Sequence, residues 1–514
     1  MYLIIFRSFF LLLLIEKCKG RPNFIFIIVD DLRPALGCYG DVNSWSPNID
    51  NLARNGFLFT QAYAQQSLCA PSRNSLLTSR RPDTLKLYDF YNYWRNTVGN
   101  FTTLPQHLKD NGYITKSIGK IFHPGISSNY SDDSPYSWSD TPFHPFTNRF
   151  KDSPVCPAAG NSSAKNLVCP VSLSSMPMKT LPDIENLNAA NDFLANYKNK
   201  LLSKPFFLAV GFEKPHIPLK YPKKYLDYHP IEKFKLHNYY WPKNVSSVAY
   251  NPWTDIRERQ DVEGLNLKFP WQKIPHYFGK KIVQSYYAAL SYIDDLVGQL
   301  LKKIYTLNLE NNTIIVLTSD HGWSLGQHSQ WGKYSNFDVA LKVPLIISLP
   351  NHRNNFDKNI NSIVELVDIF PTIAELAGCP IKSCTNSKDN LCSEGISFVP
   401  LINANIKNQT IKWKQAAFSQ YPRPGIEPTW HPNSDKPRLD EIKIMGYTLR
   451  TKHYRYTAWI KFKNKKAYWN KILAEELYDH RHDPNEMSNY SNDPMYKKLK
   501  TKLNTYLKNR WYNF

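Results

Sequence analysis

Residues 23–31 read NFIFIIVDD, an uninterrupted apolar run that stops on two acids, Asp30 and Asp31. A half-exposed strand alternates apolar and polar side chains, so seven residues with almost no polar break predict a strand buried on both faces, as in a parallel sheet. The carboxyl ends of such strands open onto the site in open α/β folds. The same pattern recurs at 312–322, NTIIVLTSDHG, where a β-branched run ends on Asp320 and His321. Parallel strands bring their carboxyl ends to one edge, so these two segments predict three carboxylates and an imidazole converging on one divalent cation. Oxygen-rich ligation favours a hard ion, Ca²⁺ or Mg²⁺, while the histidine also admits Mn²⁺ or Zn²⁺.

Outward from these ends, PFFLAVGFEKPH (205–216) and VPLIISLP (343–350) read as further buried strands. Helices are predicted between them. In SPNIDNLARNG (46–56), Ser46 can cap, Pro47 suits the first turn and Gly56 can stop the helix. The stretch at 286–304, YYAALSYIDDLVGQLLKKI, is a longer one. Strands alternating with helices predict an α/β fold around a mainly parallel sheet. Beyond a boundary placed near Lys412, residues 441–462 show the short alternating runs of antiparallel strands, followed by a basic helix, MYKKLKTKLNTYLKNR (495–510). Its Leu499, Leu503 and Leu507 fall four apart, which predicts a core-facing stripe with a solvated lysine face; a polyanion-binding helix is the alternative. The expected division is a leader at 1–20, a large domain at 21–411 and a smaller α+β subdomain at 412–514.

The first twenty residues carry Arg7, an apolar run from Phe9 to Ile15 and a polar end, the layout of a secretory signal peptide. An uncleaved signal serving as a membrane anchor is the alternative, and no later apolar run reaches the length of a membrane span. Seven N-x-S/T triplets, at Asn100, Asn129, Asn161, Asn244, Asn311, Asn408 and Asn489, fit a glycosylating compartment. The formal charge of +21 attracts polyanions, or serves solubility. In the secretory route those polyanions are sulfated sugars or anionic lipid headgroups, and no nucleic-acid partner is expected. Of eight cysteines, Cys18 lies in the leader; Cys156 with Cys169, and Cys384 with Cys392, are spaced for local disulfides. Cys38 and Cys379 read as buried free thiols. That leaves Cys69, in SLCAPSR.

CAPSR at 69–73, with LLTSR at 76–80, resembles the C-x-P-S-R signature of the formylglycine-dependent type I sulfatases. The resemblance runs in order through VDDLRPALGCYGD, GKIFHPGISSN, KPHIP, TSDHGWSLGQH, KYSNFD and SQYPRP to LYDHRHDPNEMSN near the end. It implies an alkaline-phosphatase-like fold with a large mixed, mainly parallel sheet flanked by helices, plus a C-terminal subdomain built on an antiparallel sheet. It also implies that Cys69 is converted to formylglycine by the formylglycine-generating enzyme, and that Asp30, Asp31, Asp320, His321 and the modified Cys69 hold one Ca²⁺ per chain.

Carried over residue by residue, the resemblance makes Arg73 and Lys120 the groups that hold the hydrated aldehyde and His123 the base that regenerates it. His216 and Lys333 become the residues that grip the sulfate and serve the departing sugar oxygen. Trp323 and SQYPRP (419–424) resemble the part that shapes the sugar pocket. The implied substrate is the 2-sulfate of terminal L-iduronate in heparan or dermatan sulfate, and the implied destination is the lysosome or the secreted fluid. The alternatives are a sulfatase for another sugar sulfate and a glycosaminoglycan-binding protein whose Cys69 stays unmodified. Two departures from the family pattern stand out: Ser79 replaces a common glycine in the signature, and Gln327 a common glutamate.

Overall fold

The computed structural model describes residues 20–512 apart from 159, 161, 201–203, 237–238, 353–358, 386–388 and 431–433. The leader and Asn161 lie outside the described residues, Gly20 excepted.

Strand β1 (Asn23–Val29) is buried along its whole length. Its alternate residues enter two different cores: Ile25, Ile27 and Val29 pack on one side, Phe24, Phe26 and Ile28 on the other. This accounts for the unbroken apolar run, because each face must be dry, and each large side chain so buried contributes about 1.5–3 kcal/mol. The sheet adds β2 (Phe57–Phe59), β3 (Ile114–Gly119), β4 (Phe206–Phe212), β5 (Thr313–Ser319), β6 (Leu345–Ser348) and β7 (Asn359–Ile360), in the spatial order β7-β2-β6-β5-β1-β4-β3. The neighbours β3, β4, β1 and β5 are mutually parallel. VPLIISLP forms β6, which runs antiparallel to both β5 and β2, so the sheet is mixed.

Helix α1 (Pro47–Arg54) begins on proline as expected, but the Ser46 hydroxyl does not cap it. Instead it accepts from Gly37 N–H at 3.0 Å and donates to Asp50 at 3.1 Å. Helices α3 (Pro182–Lys200) and α4 (His276–Thr306) join the Ile25–Val29 core, whereas α2 (Cys69–Thr78) and α5 (Ile369–Leu376) join the Phe24–Ile28 core.

The second sheet is antiparallel, with β8 (Ala416–Arg423), β9 (Ile444–Thr451), β10 (Tyr454–Lys463) and β11 (Lys466–Asp479) in sequence order. Helix α6 (Lys497–Tyr512) lays Leu503 and Leu507 on one face of it, which fits the core-stripe reading. The opposite face packs Trp459 and Ile444 against Val248 and Ala249 of the large unit.

Both local disulfides, Cys156–Cys169 and Cys384–Cys392, are formed. Cys38 and Cys379 are free but only half-buried, because each sits at the edge of its core. Asn489 is buried and its side-chain amide donates to Asn244 and Glu475 carbonyls, which removes it as a glycan acceptor in the folded chain. Asn100, Asn129, Asn244, Asn311 and Asn408 are exposed. Among the described residues, no helix is long and apolar enough to cross a membrane.

Candidate active site

The four neighbouring parallel strands each deliver a group at the carboxyl edge. Asp30 and Asp31 follow β1, Lys120 follows β3, Lys214 and His216 follow β4, and Asp320 and His321 follow β5. Gly211 lets β3 and β4 close up there, since a Cβ would lie 2.2 Å from the Lys120 carbonyl oxygen. Asp31 has a left-handed backbone, φ 61°, a conformation that costs a non-glycine residue about 1–3 kcal/mol. It is held there by its N–H donating to Asp320 Oδ1 at 3.1 Å and by Tyr286 of α4 donating to its carbonyl at 2.8 Å.

Cys69 opens α2, whose ten residues are all buried. No side chain caps that end, so backbone N–H groups of the first turn face the strand edge, an anion-favouring arrangement. The Cys69 sulfur lies 3.1 Å from Lys333 Nζ, 3.5 Å from Lys120 Nζ and 3.4 Å from His321 Nε2. One turn on, Arg73 spans two strand ends, with Nη2 2.9 Å from Asp30 Oδ1 and Nε 2.9 Å from Asp320 Oδ2. Lys120 pairs with Asp30 at 2.5 Å and Lys333 with Asp31 at 2.8 Å.

These charges set one another. Burial alone would raise the pKa of Asp30, but Lys120 and Arg73 outweigh it and hold the carboxyl well below the usual range. At Asp31 burial wins, assisted by Asp30 against Lys333, and the pKa is raised. Burial pushes the Cys69 thiol up to about 12, so an unmodified cysteine here is no thiolate nucleophile. Burial, then Lys120, holds His123 well below its ordinary value, leaving a neutral imidazole. Its Nδ1 is buried without a partner among the described residues, and its ring lies on Phe90 at 4.3 Å.

The residues fit a hard cation. Asp31 Oδ2 is buried and has no hydrogen-bond partner among the described residues. Ligand atoms of Asp31, Cys69, Asp320 and His321 lie within 4.8 Å of one another, as do those of Asp30, Asp31, Cys69 and His216. His321 Nδ1 is 3.0 Å from the Gly322 carbonyl, so it carries the proton and turns the Nε2 lone pair toward the acids. His216 repeats this, with Nδ1 2.7 Å from the Ile217 carbonyl and Nε2 4.0 Å from both Asp30 and Asp31.

A cavity of about 180 Å³ reaches this cluster, lined by Asp30, Lys120, His123 and His216 and continuing past Lys214 and Asp183. All the site residues expected from sequence thus meet at one place. Trp323 does not line this cavity: it is fully buried and stacked on Tyr286. SQYPR (419–423) ends β8, and there Arg423 donates to the Tyr334 carbonyl at 2.7 Å, behind Lys333.

Two groups escaped the sequence reading. Ser72, inside CAPSR, donates its hydroxyl to the Asp320 carbonyl and ties α2 to β5. Lys214, inside KPHIP, binds the His216 and Pro218 carbonyls at 2.5 and 3.0 Å. Both lie within motifs whose signal is carried by neighbouring residues, Cys69 and Arg73 for Ser72 and His216 for Lys214. Ser79 has φ 52° at the carboxyl end of α2, which explains the common glycine there, and its hydroxyl donates to the Val367 carbonyl at 2.5 Å. Gln327 replaces a glutamate yet accepts from Arg33 at 3.2 Å.

A strand-edge acidic cluster facing a helix-borne cysteine between two ammonium groups defines the class, and a sulfatase family model matches residues 22–379. The chain belongs to the sulfatase family. A model of the C-terminal region of N-sulphoglucosamine sulphohydrolase matches residues 326–512. The chain is 46% identical to iduronate 2-sulfatase of Mus musculus over 508 residues, covering 92% of this chain and 91% of that protein. It is also 46% identical to iduronate 2-sulfatase of Homo sapiens over 514 residues, with the same coverage. Among solved structures, BT4656 in complex with its substrate D-glucosamine-2-N,6-O-disulfate superposes with a TM-score of 0.69 at 21% identity, covering 96% of this chain and 98% of that one. The phosphonate monoester hydrolase of Agrobacterium radiobacter gives 0.69 at 18% identity, covering 95% of each chain. At such identities the structures speak for the alkaline-phosphatase-like fold alone.

Proposed function

We propose that this sulfatase removes the 2-O-sulfate from terminal L-iduronate of heparan and dermatan sulfate, with Cys69 converted to formylglycine by the formylglycine-generating enzyme. The observation that carries the reading is the placement of Cys69 between Lys120, Lys333 and the acidic cluster, in a chain with 46% identity to iduronate 2-sulfatases. A formylglycine at position 69 supplies, as its hydrate, the hydroxyl that displaces the sugar from sulfur. A Ca²⁺ held by Asp30, Asp31, Asp320, His321 and residue 69 supplies positive charge for the sulfate and lowers the pKa of that hydroxyl.

The chain's own residues do the rest. Lys120 and Lys333, already 3.5 and 3.1 Å from the residue-69 side chain, hold it and neutralise the sulfate oxygens. Arg73 locks Asp30 and Asp320 in place, so the oxygens facing the ion do not reorganise. His216, with its proton on Nδ1 committed to Ile217 and kept neutral by burial and by Lys333, has Nε2 free to take the proton of the attacking hydroxyl and pass it to the leaving sugar oxygen. His123 is kept neutral and takes up the proton whose loss expels sulfate. Three carboxylates face three permanent cations here. A dication, a sulfate ester monoanion and one ionised hydroxyl together add no net charge to that balance.

We assign the chain to the lysosome, reached through the secretory pathway after cleavage of the leader, with 21–411 as the catalytic domain and 412–514 as the subdomain. The exposed acceptor asparagines and the two disulfides support that route. The test is turnover of a fluorogenic α-L-iduronide 2-sulfate by protein whose residue 69 is verified as the aldehyde by mass spectrometry. Turnover that calcium chelation abolishes and calcium restores is expected. A loaded enzyme that leaves this substrate intact and cleaves another sugar sulfate overturns the substrate assignment.

A further inference from the structure

The outer end of the β10–β11 ribbon is strongly basic. Lys461, Lys463, Lys465, Lys466 and Lys471 are all exposed, and none has an ion pair or side-chain hydrogen bond among the described residues. Lys443 is exposed beside them, its carbonyl accepting from Phe462 N–H at 2.7 Å. The inward side of the ribbon is anchored by Phe462 and Trp469, both buried in the core under α6. The lysines therefore stand on a fixed platform.

Two features make this arrangement costly for the fold alone. Lys463 lies directly across from Lys466, and like charges in that position repel. The turn between them has Asn464 at φ 52° and Lys465 at φ 60°, where a hairpin of this kind favours glycine second. A lysine thus occupies a backbone site that glycine would fill with less strain. Glu475 does not relieve the repulsion, since it stands across from Ala458 on the face under α6 and already accepts from Lys500 and Tyr456, each at 2.7 Å.

The ribbon also lies on a particular side of the sheet. Strand residues two apart share a face, so Lys461 and Lys463 continue the face that carries Trp459. Trp459 packs beside Arg423, whose guanidinium carbon is 5.5 Å from the ring centre, and Arg423 holds the Tyr334 carbonyl next to Lys333. The lysine face is therefore an extension of the face that backs the candidate active site.

We propose that this ribbon is a binding surface for the remainder of a sulfated polysaccharide chain whose terminal sugar occupies the active site. The proposal rests on the glycosaminoglycan-sulfatase reading for its substrate. Successive lysines on the strand stand about 6.7 Å apart and cross-strand neighbours about 5 Å apart, which suits several anionic groups on one extended polymer. One exposed ion pair contributes little, so the surface works by engaging several sulfates and carboxylates of a single chain.

The test compares the wild-type holoenzyme with a variant carrying Lys461→Ala, Lys463→Ala, Lys465→Gly and Lys466→Ala, none of which touches the catalytic cluster. Elution from immobilised heparin is expected at lower salt. KM for long heparan sulfate chains is expected to rise about tenfold with kcat unchanged, while turnover of a small iduronide 2-sulfate stays as in wild type and the melting temperature is equal or higher, since the variant relieves the repulsion and the strained turn. Unchanged heparin elution and unchanged KM on long chains overturn the proposal. So does an equal loss on the small substrate, which marks a structural effect, or a loss of binding to phosphatidylserine vesicles with heparin binding intact, which marks a lipid surface. If wild type fails on the small substrate, the heparin column still reads the ribbon independently of the substrate assignment.

Discussion

The cluster around Cys69 and the cluster around Glu486 are both buried assemblies of opposite charge, yet only one has anything left to offer a ligand. Glu486 accepts from Arg455 at 2.6 and 3.1 Å, from His480 at 2.9 Å and from the Asp338 N–H at 2.9 Å. Arg450 closes the set by donating to Asp338 and His480, each at 2.8 Å. Asp338, His480 and Glu486 thus have the composition and spacing of a metal site, but the guanidinium groups of Arg450 and Arg455 already engage all three. At the strand edge, Asp31 Oδ2 has no partner among the described residues, two histidines turn Nε2 inward, and a cavity reaches the group. Residue types do not separate a site from a structural network; unused lone pairs and access do.

That contrast is broken most severely at residue 69. Cys69→Ala is expected to lower sulfatase kcat by about 10⁴-fold or more while leaving the fold intact, measured with the iduronide 2-sulfate and by thermal melting. A variant retaining a tenth of wild-type activity would show that the nucleophile lies elsewhere. Lys333→Ala comes next, with an expected loss in kcat of about 10²–10³-fold, because an ammonium aimed at developing charge is removed. It also leaves Asp31 without its cation, so calcium release, followed with an indicator dye, should change in parallel.

The saturated network should behave in the opposite way. Glu486→Gln is expected to cost about 3 kcal/mol of stability, since it takes the bidentate counter-charge from buried Arg455 and leaves only Glu476 at 3.7 Å, while kcat on the small substrate is kept. The pH dependence follows from sign. Burial would raise the Glu486 pKa, but Arg455 and His480 hold it well below its ordinary 4.5. The folded state therefore binds fewer protons than the unfolded one at low pH. This stabilisation is complete above pH 4.5 and is lost as the pH falls below it. Urea denaturation from about pH 3 to 7 should show a shallower acid limb in the variant than in wild type. An identical limb would place the acid-sensitive charge elsewhere.

The smallest effect is expected at Ser79→Gly. Glycine relieves the left-handed backbone but loses the hydrogen bond to Val367, so stability should move by no more than about 1 kcal/mol. If Ser79 hinders the modifying enzyme, the aldehyde fraction at residue 69 rises; an unchanged fraction shows that the serine is tolerated.

Much of this was readable before any coordinates. The runs at 23–31 and 312–322 are buried on two faces, so their composition alone announces a central parallel strand, and the acids that end them announce the site edge. Leu503 and Leu507 announced their buried stripe by helical spacing. Other features were not local enough. The direction of β6 depends on the route between strands, since an apolar run of that length packs equally well either way. Trp323 follows the metal-site motif directly, yet stacking on Tyr286 from a distant helix turns it into the core.

By itself, the sequence determined four apolar strands of the large sheet, the two disulfides, the signature around Cys69 and the residue types that meet there, because each is written in local pattern and chemistry; the short or half-polar strands β2, β3 and β7 carry no such pattern. Only the tertiary structure decided that Asp31 keeps an oxygen unpaired while Glu486 does not, and that Asn489 is closed to a glycan while five other acceptor asparagines stay exposed. Those distinctions arise from which distant groups fill the space around a side chain, and a hydrogen bond between residues hundreds of positions apart leaves no trace in the composition of either segment.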